Sequence, residues 1–476
     1  MPLWSSIEAI KATGGTCTVS WNAEGISIDT RTVQPGDLFI ALKDQRDGHE
    51  FVEEAFAKGA AAALVSYRPR NVSPDAPLLI VENVLEGLNA LARTARSRTN
   101  AKIIGVTGSV GKTSTKDMLK TVLEFQGLTH ASVESYNNHW GVPLSLARMP
   151  LDTEFGIFEI GMNHPGEIAP LSRIVQPHVS LITTVAPAHV EAFNGIEEIA
   201  VEKAAIFSGL VNNGVAILPA DAGTIDILVQ AALRQSCTII GFGEKADAYR
   251  LVAVEAHTDV TVIQAQFRGT PAVLKLNAFG RHFAKNAMGV IAAVEALSAD
   301  PGRAAVDLFQ WRPLAGRGRC EEISFDFDKT TKDFVLIDDA YNANPASMAA
   351  ALETLSNMVP SLNNSGKNKL RKVAILGDMH ELGINEKSYH VSLAENLDLR
   401  SLDIVHCIGP RMRACYDTLP IDIRGEWAET AKEFKMILPS LIVVGDIVLV
   451  KGSLGSNVST IVEMIRNLGQ RKRREE

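Results

Sequence analysis

The segment Gly105-Val106-Thr107-Gly108-Ser109-Val110-Gly111-Lys112-Thr113-Ser114 constrains the fold more than any other stretch of this chain. An apolar run, Ile103 to Val106, enters it, and a helical pattern with Met118, Leu119, Val122 and Leu123 on one face leaves it. A glycine-rich turn from strand to helix is the context of a phosphate-binding loop. Glycines let backbone N–H groups approach phosphate oxygens, and the helix N-terminus adds partial positive charge. Lys112 can then reach the β- and γ-phosphates of a nucleotide, and the Thr113 hydroxyl can ligate Mg²⁺. The long pattern G-x-x-x-x-G-K-[ST] wants glycine where Val106 stands, whereas G-x-x-G-K-[ST] starting at Gly108 is met in full. Gly108, Ser109, Val110, Gly111, Lys112, Thr113 and Ser114 are therefore the candidate ATP-binding residues. Such a loop names a nucleotide and leaves the reaction open.

The rest of the composition removes other classes. Lys and Arg number 47 against 55 Asp and Glu, a net charge of −8, so no global basic surface advertises nucleic acid. The five cysteines are odd in number, scattered and without a C-x-x-C pair, which argues against a disulfide framework or zinc site and for a reducing cytoplasm. Residues Met1 to Glu8 carry no basic region before a long apolar stretch, and the apolar segment Leu441 to Val450 is interrupted by Asp446. Neither a signal peptide nor a membrane span is expected. The terminal run Arg471-Lys472-Arg473-Arg474 reads as a solvated tail.

At ~100 to 200 residues per domain, 476 residues imply two to four domains. Short β-rich runs (Ile26 to Ile28, Leu38 to Leu42, Ala60 to Val65, Leu78 to Val81) around a helical stretch, His49 to Lys58, predict a small α/β unit over 1–83. Apolar residues at Leu85, Leu88, Leu91 and Ala92 predict an amphipathic helix, Leu85 to Arg98, opening a central unit over 84–314. There, strand-like runs Ile103 to Val106, Phe155 to Ile160 and Val179 to Val185 end in polar clusters, as in a parallel sheet whose carboxyl edge collects functional loops. A third unit over 315–476 alternates strands (Phe334 to Ile337, Val373 to Leu376, Ile404 to Ile408, Ile447 to Val450) with helices (Ser347 to Met358, Val458 to Leu468). It is Rossmann-like, but no G-x-G-x-x-G follows its first strand, so no dinucleotide is inferred.

Three residues of the central unit stand out. Glu159 ends an apolar strand, where a P-loop enzyme places a second metal-directed carboxylate; a solvent-facing strand glutamate is the plainer reading. Lys203 falls inside the apolar stripe of Ile196 to Leu210, either snorkelling outward or held inside for a purpose. His189 follows a strand end as a structural histidine or a ligand.

The ordered motifs resemble the Mur ligase family of ATP-dependent amide-bond-forming enzymes over essentially the whole chain. They are Asp29-Thr30-Arg31 with Pro35-Gly36-Asp37-Leu38-Phe39 and Asp47-Gly48-His49; the phosphate loop; Tyr136-Asn137-Asn138-His139-Trp140-Gly141-Val142-Pro143; Glu159-Ile160-Gly161-Met162-Asn163; and Ala188-His189-Val190-Glu191. Further along stand Gly280-Arg281-His282, Gly316-Arg317-Gly318-Arg319, Asp338-Asp339-Ala340-Tyr341-Asn342-Ala343-Asn344-Pro345, Leu376-Gly377-Asp378-Met379 with Glu381-Leu382-Gly383, and Lys451-Gly452-Ser453.

The resemblance implies three α/β domains: a small substrate-binding domain, a central P-loop ATPase and a Rossmann-like C-terminal domain. It implies a monomer joining D-alanyl-D-alanine to UDP-N-acetylmuramoyl-tripeptide; the Asp339-Ala340-Tyr341-Asn342 form speaks against the related third-residue ligase. It further implies that Thr113 and Glu159 hold one Mg²⁺ and His189 and Lys203 a second, with Lys203 carbamylated; where relatives often carry Glu, this chain has Ala205. Asn286 is implied at adenine with His282 beside it, Arg317 and Asp339 at phosphates and ribose, Asn137 and Asn138 at the muramoyl peptide, Arg31 at the UDP end, and Tyr341, Asn342 and Asn344 near the dipeptide. A P-loop protein that binds ATP as a switch and forms no bond is the rival from another class.

Overall fold

The computed structural model describes residues 2–133, 135–257, 260–327, 330–358, 371–468 and 470–471; most of the terminal basic run lies outside them. Apart from a two-stranded ribbon, their strands form sheets of five, nine and seven members, one in each stretch of chain expected to be a unit. The first sheet runs Thr16–Cys17, Leu78–Ile80, Ala62–Val65, Asp37–Ile40, Gly25–Ser27, parallel except at its first member. Its core takes in Val84, Leu88, Leu91 and Ala95 of the helix Val84–Ser97, together with Leu144 and Ala147, so apolar packing runs across position 83/84. The expected helix over His49 to Lys58 begins instead as a 3₁₀ turn, Gly48–Phe51, because Asp47 accepts from the His49 backbone and ring before the α-helix Val52–Ala57 starts.

The central sheet places Lys102–Thr107 between Phe155–Glu159 and Val179–Ile182. The chain first crosses to one side of Lys102–Thr107 and then to the other, so this strand is the point where winding reverses, and the crevice at the carboxyl ends there is the natural ligand site. Phe155–Glu159 is buried at every position, as a strand covered on both faces must be. Parallel pairing holds from Thr129–Ala131 through Tyr249–Ala256, but Thr261–Phe267 and Thr270–Leu276 extend the sheet antiparallel. The signal for this extension was alternation: Ile263 and Ala265 are buried while Gln264 faces out.

Several expected elements are shorter than their apolar runs, two of them near the phosphate loop. The run Val179 to Val185 is strand only to Ile182, because Thr183 turns its hydroxyl to the Val110 carbonyl at 2.6 Å. Ile196 to Leu210 divides into an α-helix, Ile196–Ala204, and a 3₁₀ turn, Ala205–Gly209. The third sheet is Rossmann-like over five parallel strands, Arg424–Ala428, Ile404–Ile408, Lys372–Gly377, Ile447–Lys451 and Thr330–Asp339, with Arg319–Phe327 added antiparallel. Among the described residues no helix is long and apolar enough to cross a membrane.

Candidate active site

The phosphate loop is built by two glycines whose backbones L-residues avoid. Gly111, at φ +87°, opens the helix Lys112–Glu124 without a side-chain cap, leaving the first N–H groups directed at the crevice. Gly108 passes so close to Thr183 that a Cβ would overlap its hydroxyl. Ser109 exchanges hydrogen bonds with Ala186, donating to its carbonyl at 2.7 Å and accepting from its N–H at 3.0 Å, which ties the loop to the next strand end. Lys112 donates to the Gly108 carbonyl at 2.8 Å; burial pushes its pKa down while Glu159 pulls it up.

Glu159 is 1% exposed, which excludes a solvent-facing glutamate. Its Oε1 accepts from Asn137 Nδ2 at 2.7 Å, while its Oε2 is buried and has no hydrogen-bond partner among the described residues. A buried carboxylate oxygen left unmatched is costly, and a cation satisfies it; Thr113, whose hydroxyl lies 3.3 Å from Ser135 Oγ, lines the same cavity. Among the described residues no three His, Cys, Asp or Glu side chains are grouped to hold a metal by themselves. A divalent ion would therefore draw on the Thr113 hydroxyl and on oxygens of the nucleotide, as magnesium commonly does.

Lys203 does not snorkel: it is 2% exposed, and its ammonium lies 3.9 Å from Met162 Sδ. Burial, then repulsion from Lys112, hold its pKa well below the ordinary lysine value. It is not among the residues lining the phosphate-loop cavity, but Met162, which it touches, is. His189, at φ +55°, lines the cavity with Nδ1 2.7 Å from Glu381 Oε2 of the third unit.

Across a cavity of about 340 Å³ the third unit supplies the opposing wall. Arg317 donates to Ser135 at 2.9 Å and lies 4.2 Å above the Tyr341 ring. Asp339 pairs with Lys451 at 2.7 Å; burial raises the Asp339 pKa and Lys451 opposes this. Lys451 also donates to the Asn342 carbonyl at 3.0 Å. Burial lowers the His282 pKa to about 4, and its ring packs at a 45° tilt against Phe283. Asn286 is buried with its amide against Gly111, so it reaches the loop from the adjoining helix.

Not every expected residue converges here. Asn344 lines the cavity but accepts from the Ser347 N–H as the cap of helix Pro345–Asn357. Asn138 lies off the cavity and accepts from the Gly141 N–H. Arg31 is clamped to Asp29 in a separate cavity of about 1210 Å³, shared with Tyr136, His139 and Trp140. One loop thus serves both spaces, with Ser135 and Asn137 on the smaller cavity and Tyr136, His139 and Trp140 on the larger. Ser135 and Lys451 were given no role from sequence. Lys451 ends an apolar strand within the Lys451-Gly452-Ser453 motif, whereas a serine in a polar loop carries no signal.

Models of the Mur ligase family match three successive stretches: the catalytic domain over 22–102, the middle domain over 106–294 and the glutamate ligase domain over 318–454. A relative from Rickettsia prowazekii (strain Madrid E), UDP-N-acetylmuramoyl-tripeptide--D-alanyl-D-alanine ligase, is 33% identical over 97% of this chain and 99% of its own. The chain belongs to the Mur ligase family. The crystal structure of MurF from Acinetobacter baumannii, 28% identical, superposes with a TM-score of 0.82 over 97% of this chain and 99% of that one. The MurF ligase of Thermotoga maritima in complex with ADP, 24% identical, shares the fold at a TM-score of 0.76 over 93% and 97%. Membership of the Mur ligase family makes the protein an ATP-dependent ligase.

Proposed function

We propose that the protein is the ATP-dependent ligase that joins D-alanyl-D-alanine to UDP-N-acetylmuramoyl-tripeptide, releasing ADP and phosphate, as a monomer in cytoplasmic peptidoglycan precursor synthesis. The observation that carries this reading is the loop 135–140, which runs from the phosphate-loop cavity into the 1210 Å³ cavity of the first domain. A long substrate can lie along it with its UDP end near Arg31 and its peptide carboxylate at Asn137. We take 1–83, 84–314 and 315–476 as the UDP-substrate, ATP and dipeptide domains.

The γ-phosphoryl group passes to the terminal carboxylate of the tripeptide, giving an acyl phosphate. The dipeptide amine attacks that carbonyl, the tetrahedral intermediate collapses, and phosphate leaves as the amide forms. Two anions must approach in the first step. Lys112 and the open N–H groups of the phosphate loop hold the β- and γ-phosphates, and Arg317 adds positive charge from the facing domain. His282 and Asn286 flank adenine, with Asp339 at the ribose and Tyr341, Asn342 and Asn344 beside the incoming dipeptide. Thr113 and Glu159 would hold one Mg²⁺, and His189 with Lys203 a second, supplying charge neutralisation between the phosphates and the carboxylate. Burial favours the amine of Lys203 over its ammonium; addition of that amine to CO₂ with loss of a proton would give a carbamate, whose oxygens could face a cation that an ammonium would repel.

The test is phosphate release from the purified protein with Mg-ATP and UDP-N-acetylmuramoyl-tripeptide, with and without D-alanyl-D-alanine. Release that needs the dipeptide and yields a UDP-linked pentapeptide is expected. Release driven by free amino acids instead would refute it.

A further inference from the structure

Glu381 has no part in the reaction as written, yet it bridges two domains at the site. Its carboxylate meets His189 Nδ1 at 2.7 Å, joining the loop after Lys372–Gly377 of the third domain to the loop after Val179–Ile182 of the central one. Both residues sit in the left-handed region, at φ +62° and +55°, which bulky residues occupy only where their surroundings impose it, commonly at functional sites. The grip extends along both loops. A Cβ at Gly383 would stand 3.0 Å from the Glu191 Cα, and Val190 packs against the apolar core of the third domain. A small cavity of about 160 Å³ at this seam is lined by Lys112, His189 and Glu381 together.

The chemistry of the contact is directional. A carboxylate on Nδ1 holds the proton on that nitrogen and leaves the Nε2 lone pair available, the arrangement by which carboxylates orient metal-ligating histidines. We propose that Glu381 is a positioning residue brought by the third domain, fixing His189 so that Nε2 faces the second divalent cation and coupling cation binding to domain docking. This rests on the two-cation reading above.

The test titrates Mn²⁺ into the full chain with ADP, following free Mn²⁺ by electron paramagnetic resonance, for wild type, Glu381→Ala, Glu381→Asp and Gly383→Ala. Wild type is expected to bind two ions. Glu381→Ala should weaken the weaker site roughly 10- to 100-fold and leave the tighter one unchanged, with Glu381→Asp recovering part of the loss. Gly383→Ala keeps the carboxylate but lifts its loop from Glu191, and should weaken the same site. In turnover, kcat should fall in Glu381→Ala while KM for ATP stays within about threefold, since only one ligand's orientation is lost. Unchanged Mn²⁺ affinities in Glu381→Ala would overturn the proposal, even with a lowered melting temperature, and so would a wild type that binds a single ion. If wild type shows dipeptide-dependent phosphate release while Glu381→Ala titrates like it, this inference alone fails. Absence of that release would remove the functional reading and this inference with it.

Discussion

Gly111→Ala isolates the backbone's share of nucleotide binding. At φ +87° an L-residue costs about 1–2 kcal/mol, because its Cβ crowds the following carbonyl. The new methyl would also stand 2.8 Å from Asn286 Nδ2, and Asn286 is only 8% exposed, so its amide must swing away from the loop. Losing one well-placed hydrogen-bonding group adds about 1 kcal/mol. The sum, about 2–3 kcal/mol, corresponds to roughly 30- to 150-fold weaker ATP binding. The internal control is Gly105→Ala. That glycine lies on a strand, and its Cβ would meet only side-chain carbons, the nearest being methyls of Ile160 and Ile206 at 3.4 Å. Calorimetric titration with a nonhydrolysable ATP analogue should separate the two, with Gly105→Ala within about threefold of wild type. KM for the UDP-linked substrate should be unchanged in both. Binding by Gly111→Ala within threefold of wild type would refute the geometry on which the phosphate-loop argument stands.

Lys112→Ala should lower turnover by about 10² to 10³, by analogy with removal of one preorganised electrostatic donor; a steady-state rate near wild type would exclude its role. Wild-type turnover should fall in CO₂-depleted buffer and recover with bicarbonate, whereas Lys203→Ala should be slow and indifferent to bicarbonate; a persisting response would place the CO₂-sensitive group elsewhere. Burial lowers the pKa values of His130, His282 and His406 from 6.5 to about 4, so the unfolded chain binds more protons between those limits. Their stabilisation is complete above pH 6.5 and is lost as pH falls toward 4, at up to about 1.4 kcal/mol per pH unit for each histidine. Urea denaturation at several pH values should show a shallower acid slope in His406→Gln.

Much of the site was readable because its signals are local. A phosphate loop is one continuous backbone turn, and glycine spacing, the lysine and the hydroxyl all fall within a few residues. Glu159 was legible as the polar end of an apolar strand, and Lys203 as a charge in an apolar stripe, though sequence left open whether either faced inward. Burial decided both. The antiparallel edge of the central sheet was not legible as apolar runs, because its strands alternate in burial, as half-covered strands do.

By itself the sequence determined the phosphate loop, the strand ends that hold the candidate residues and the division into three α/β units, because each depends on neighbours in the chain. The opposing wall was decided only by tertiary structure. Arg317 meets Ser135 across 182 residues and Lys451 meets Asp339 across 112, and no local pattern encodes such a meeting. Whether a buried charge is a liability or a ligand depends on what the other domain brings to it. The same holds for His189, which meets Glu381 of the third unit across 2.7 Å.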